Sequence, residues 1–149
     1  MMRALIATSI LAGLLAGPAS AQDATLDPAA QFEAHCAMCH NTAGTGTAGL
    51  APALDRPEFW QALGDNAGKY AAGVAAKGLN MAITVRGESF RGMIMPPPAG
   101  IPDDQLAAAA TYVVATLGQT DHVVTADDIA AARQGVSNDD LKAMRPPSE

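Results

Sequence analysis

The chain has 149 residues, a formal net charge of −6, two cysteines and three histidines. That length accommodates one small domain. With no basic run, the chain offers no electrostatic footprint for nucleic acid or an anionic membrane surface.

The first stretch reads as an export signal. Met1-Met2-Arg3 supplies a positive charge, Ala4 to Gly17 is apolar, and Pro18-Ala19-Ser20-Ala21-Gln22 offers a small-x-small cleavage site. The apolar run is shorter than the roughly 20 residues that cross a bilayer, although an uncleaved anchor is the competing reading. Residues 1–21 are therefore expected to be a cleaved signal peptide, which places the protein in the periplasm. Loss of Arg3 takes the net charge from −6 to −7.

Gln22 to Asp27 is a polar leader. Asp27 suits an N-cap and Pro28 the first helical position, so a helix is expected from there through Phe32 into the next motif. That motif is Cys36-Ala37-Met38-Cys39-His40. Two cysteines three apart with a histidine directly after them have the spacing for covalent attachment of a c-type haem. Each thiol can form a thioether with a vinyl group, and the imidazole can reach the iron. A zinc site would need four N or S ligands, a thioredoxin-like motif a βαβ context, and a plain vicinal disulfide is the third alternative. Aromatics are scarce (Phe32, Phe59, Trp60, Tyr70, Phe90 and Tyr112), so side chains alone would build only a thin core. A flat apolar macrocycle at the centre would make up the deficit.

Asn41 to Ala53, with three glycines and Pro52, reads as a loop. A backbone carbonyl near Pro52 is placed to accept the proton on the imidazole nitrogen that faces away from the iron. Asp55 to Leu63 suggests a short helix, and Asn66 to Lys77 another that Gly78 stops. Leu79 to Phe90 is less regular, with Met81 to Val85 extended at most. In Arg91-Gly92-Met93-Ile94-Met95-Pro96-Pro97-Pro98 the prolines stiffen the loop, so that the Met95 thioether can be held facing one way. Met93 would then face the other way and is the fallback ligand, with Met81 a more distant rival.

Pro102-Asp103-Asp104 opens a helix that is expected to run to Leu117 and end at Gly118. Residues 119–149 form an extension in which Thr125-Ala126-Asp127-Asp128 and Ser137-Asn138-Asp139-Asp140 each resemble a helix start. Two short helices, about 126–133 and 138–144, are expected to lie on the domain surface. His35 reads as surface-exposed, and His122 reaches a metal only if the tail folds over the pocket.

Taken together, the chain resembles a class I, mitochondrial-type, monohaem cytochrome c. Phe32-x-x-x-Cys36-x-x-Cys39-His40, Ala51-Pro52, Met95-Pro96 and the run from Pro102 to Val113 carry the likeness, which covers roughly Pro28 to Gly118. The resemblance implies an all-α cytochrome c fold over residues 22–118, one covalently bound haem c, and His40 and Met95 as axial ligands of its iron. It also implies a proline carbonyl that orients the proximal histidine, and an aromatic on the last helix that packs against the first. Trp60, Tyr70, Arg86, Arg91 and Lys77 are candidates to meet the haem propionates, since half-buried carboxylates need cationic or hydrogen-bonding partners. With both axial positions filled, the expected activity is relay of single electrons between a dehydrogenase and a terminal oxidase or reductase. The protein would then be an electron carrier and not an enzyme, free or as a dedicated subunit of a periplasmic dehydrogenase. The rival is a haem enzyme or ligand sensor with an open sixth position.

Overall fold

The computed structural model describes residues 26–147. The signal peptide expected over residues 1–21 lies outside them. Helix α1 (Pro28–His35) starts where the sequence indicates, because an Asp27 side-chain oxygen accepts from the amide of Ala29 at 3.0 Å. It does not continue unbroken through the motif. Cys36, at φ −122, interrupts the ladder, and α2 (Ala37–His40) follows as a separate turn. The amides of Cys39 and His40 both close onto the Cys36 carbonyl, at 3.2 and 3.0 Å.

Next come α3 (Pro57–Ala62), a 3₁₀ turn (Gly64–Asn66) and α4 (Ala67–Lys77). The stretch whose sequence is irregular holds a small antiparallel hairpin, β1 (Ile83–Val85) and β2 (Glu88–Phe90), with Ile83 opposite Phe90. Arg86 and Gly87 turn the chain between them, both at positive φ (50 and 82), as a two-residue hairpin turn demands. An arginine is a poor advertisement for that conformation, so the turn is not legible in the sequence.

Helix α5 (Asp103–Thr111) continues into a π turn (Tyr112–Leu117), closed by the Gly118 amide on the Val113 carbonyl at 2.8 Å. The apolar spacing predicts a continuous α-helix there, and nothing in it marks the widening. α1 packs on α5, and the Phe32 and Tyr112 rings meet at 4.9 Å. Around this crossing lies a core made largely of alanines from α4 and α5, with Phe59, Trp60 and Tyr70 as its aromatic corner.

The extension forms α6 (Ala126–Gly135) and α7 (Asn138–Met144), each opened by a reciprocal capping box, Thr125 with Asp128 and Ser137 with Asp140. These helices do more than lie on the surface. Val124, Ile129, Ala132 and Leu141 are buried in the same core as Phe32 and Val114. Full burial of each Ile or Leu stabilises by about 1.5–3 kcal/mol, and α4 accommodates the contact with Gly73, where an added Cβ would lie 2.6 Å from Leu141. Among the described residues, no helix is long and apolar enough to cross a membrane.

Candidate haem site

The proximal side is built by a loop that folds back on α2. His40 is buried, and its Nδ1 donates to the carbonyl oxygen of Pro52 at 2.8 Å. A carbonyl can only accept, so the proton is on Nδ1 and Nε2 is left with its lone pair for a metal. Burial pushes the His40 pKa down, and the Pro52 hydrogen bond opposes this only in part; the imidazole is therefore neutral, as a ligand must be.

Three further contacts fasten the loop. The amide of Gly46 donates to the His40 carbonyl at 2.9 Å, and the Thr47 hydroxyl donates to the Cys39 carbonyl at 2.8 Å. The Asn41 side chain, from a residue at φ 61, donates to the Gly46 carbonyl. Gly46 itself sits at φ +79, and a Cβ there would lie 2.5 Å from Ala53 N and 2.7 Å from Pro52 C. Glycine thus lets the loop press directly on the peptide that holds His40.

Cys36 and Cys39 are free, half-buried thiols. Burial, with the nearby Cys39 as the smaller cause, pushes the Cys36 thiol up to about 11. A thiol kept protonated is a poor metal ligand, since metals take the thiolate, but it still carries the sulfur and the hydrogen that net addition across a vinyl group consumes. Among the described residues, no three His, Cys, Asp or Glu side chains come together to hold a metal ion. The neutral imidazole with one free nitrogen and the pair of unbridged thiols therefore fit a covalently attached haem.

Met95 is fixed through its backbone. Its amide donates to Leu79 O at 3.0 Å and its carbonyl accepts from Leu79 N at 2.9 Å. The approach is close because Gly78, at φ 72 and ψ −167, closes α4 in a conformation open almost only to glycine. A Cβ added there would collide with the Met95 carbonyl oxygen. The Met95 side chain is half-buried, whereas Met93 is exposed and Met38 is 90% exposed. Met81 is half-buried and packs against the main core.

The other candidates are divided among different tasks. Trp60 is buried and its Nε1 donates to Leu54 O at 2.8 Å. Its ring stands edge-on to Phe59 and Tyr70, which meet each other at 5.6 Å. Arg86 spends its guanidinium on Asp55, side chain at 2.9 Å and backbone at 2.7 Å. Arg91 is exposed and donates to the Ser89 hydroxyl, and the Lys77 amine reaches the Arg133 carbonyl. His35, expected on the surface, is half-buried and bridges α1 to α5, its Nε2 lying 3.2 Å from Gln31 Oε1 and 3.0 Å from Gln105 Oε1. His122 lies against Gly68 of α4.

Two arginines near the aromatic corner escape the sequence reading. Arg56 is 3% exposed, donates from Nε to Ala53 O at 3.0 Å, and holds its Cζ 4.2 Å from the Phe59 ring centre. Arg145, at the end of α7, donates to the Tyr70 hydroxyl at 2.5 Å and lies 4.9 Å from the same Phe59 ring. Each stands beside a proline and carries no signal in sequence that separates it from an ordinary solvated cation.

The sequence model of a family described as Cytochrome c matches residues 28–116. The match begins with α1 and ends inside the π turn, taking in Cys36 to His40, Pro52 and Met95. No curated protein matches the chain.

Proposed function

Because the chain belongs to the cytochrome c family, with haem c as its covalent cofactor, we propose that it is a periplasmic electron-transfer protein working between a dehydrogenase and a terminal oxidase or reductase. The haem supplies a one-electron couple. Cys36 and Cys39 would tether it, and the His40 Nε2 and the Met95 thioether would be the ligands of its iron. A soft thioether favours the ferrous state and raises the potential. With His40 and Met95 both serving as ligands, no position would be left for a substrate, which favours relay of electrons over catalysis.

The observation that carries this reading is the anchoring of Met95 on Leu79 by two backbone hydrogen bonds. The test is to add carbon monoxide to the reduced protein at neutral pH. Little or slow spectral change is the expected result. Rapid and complete conversion would instead point to an open sixth position, and so to a haem enzyme or gas sensor.

A second form of the reading makes the protein a dedicated cytochrome subunit of a periplasmic dehydrogenase. The extension favours it, since α6 and α7 are locked into the core by Ile129 and Leu141 and present a fixed outer surface for a permanent partner. Stoichiometric co-purification of a dehydrogenase from the native periplasm would support this form; a protein that elutes alone would leave the free carrier.

A further inference from the structure

Met95 is joined to Leu79 by an isolated bridge, two backbone hydrogen bonds that no ladder continues. The bridge cannot lengthen past Met95, where Pro96 and Pro97 have no amide to donate, and before Leu79 the chain is already closing α4 at Gly78. A pairing this short holds a loop weakly, because one hydrogen bond shifts an equilibrium only roughly two- to tenfold.

Further support comes from beyond the stretch that matches the family. The amide of Asn80, the residue after Leu79, donates to Oδ1 of Asn138 at 2.9 Å. A backbone N–H can only donate, so the oxygen of the Asn138 side chain is the atom that meets it. Asn138 is the first residue of α7, which is fixed in turn by the Ser137–Asp140 capping box and by Leu141 seated on Gly73 of α4. The amides of residues 79 and 80 are thus divided between the Met95 loop and the extension.

The same extension holds the chain where it leaves Met95 for α5. Arg133, in the last turn of α6, donates from Nη2 to the Ile101 carbonyl at 3.4 Å. Its Nε donates to Asp103 Oδ1 at 2.8 Å, a charge-assisted contact at the first residue of α5. Asn138 is exposed and Arg133 half-buried, so burial of apolar surface does not account for either contact.

We propose that the C-terminal extension is a clamp on the Met95 segment, in which Asn138 and Arg133 are positioning residues that keep the thioether available as a ligand. This rests on the haem reading above. It gives residues 119–149 a part in the redox site besides packing and besides any partner surface. Loss of either contact frees Leu79 or Ile101, and the share of molecules with Met95 withdrawn rises by the factor that the bond contributed.

The test is the rate at which carbon monoxide binds the reduced, haem-loaded protein, read together with the methionine-to-iron absorption band. Asn138→Ala should speed binding roughly two- to tenfold, and the band should fade on warming before helicity is lost. Arg133→Gln should act in the same direction. Asn138→Asp keeps an acceptor oxygen and should stay close to the parent, which a merely structural role would not require. Thr125→Ala weakens the cap of α6 without touching the Met95 segment and should leave the rate unchanged. An unchanged rate in Asn138→Ala or in Arg133→Gln overturns the clamp. So does an equal rise in Thr125→Ala or in Asn138→Asp, because general loosening of the extension would then suffice. If Asn138→Ala does not accumulate, Asn138→Leu removes the acceptor at similar volume, and the same outcomes decide. Failure of the Met95 reading itself would look different: the parent would lack the methionine band and bind carbon monoxide at once.

Discussion

The Nδ1 of His40 and the carbonyl oxygen of Pro52 are joined by a 2.8 Å hydrogen bond across twelve residues of loop. That bond sets the tautomer of the imidazole, and it is itself held by the chain around Gly46, whose missing side chain lets the loop lie on the Pro52–Ala53 peptide. Gly46→Ala would put a methyl group 2.5 Å from Ala53 N and place a side chain at φ +79. The strain, of order 1–3 kcal/mol, should appear as a lower thermal midpoint. It should also shift the ligand-sensitive absorption of the haem, because the Pro52 carbonyl must move.

Met95 gives the sharpest spectroscopic test. Met95→Ala should abolish the methionine-to-iron absorption band, lower the reduction potential and make the reduced protein bind carbon monoxide readily. Met93→Ala, at an exposed position of the same loop, should keep the band. The reverse pattern would move the axial ligand to Met93.

Gly78 is expected to matter for the same ligand from outside the loop. Its backbone lies at φ 72 and ψ −167, and the Met95 carbonyl oxygen occupies the place a Cβ would need. Gly78→Ala should weaken the methionine band and destabilise the fold by at least about 1–3 kcal/mol. A band of full strength in that variant would show that the Leu79–Met95 pairing does not position the thioether.

The extension should behave as core. Leu141 and Ile129 are essentially inaccessible, so Leu141→Ala or Ile129→Ala should cost about 2–5 kcal/mol in denaturant unfolding. A surface appendage would lose far less. The ligand-sensitive haem absorption and helicity should be lost in one transition, because both side chains share a cluster with Phe32 and Val114.

Acid should act on this same segment. Hydrogen bonds from the side chain and then the backbone of Thr125 hold the Asp128 carboxyl below the usual carboxylate range, and Ser137 does the same for Asp140. A carboxylate with a depressed folded-state pKa adds stability above its unfolded value, near 4, and loses it as the pH falls through the folded value. Both groups are open to solvent, so the effect is small. Asp128→Asn with Asp140→Asn should flatten the loss of thermal stability below about pH 4, as read by circular dichroism. Thr125→Ala should cost about 1 kcal/mol at neutral pH.

Local chemistry makes much of this protein legible in its sequence. Cys36, Cys39 and His40 announce themselves because thioether attachment and iron ligation need those groups within one helical turn. The starts of α1, α6 and α7 are readable because capping involves only neighbouring residues. Pro52 can be named because proline marks the loop that returns to His40, and Met95 stands out as a candidate because the prolines after it restrict the chain.

Contacts between segments distant in sequence are decided only by the tertiary structure. Gly46 and Gly78 look like any loop glycine until Pro52 and Met95 are brought against them. Arg56 and Arg145 are 89 residues apart and share one ring only because α7 packs back onto α4. The extension reads as too polar to do more than cover a surface, since its few apolar side chains are dispersed along 29 described residues. Folding gathers Val124, Ile129 and Leu141 onto an alanine-rich face with room for them, and burial depends on that gathering, which no window of the sequence records.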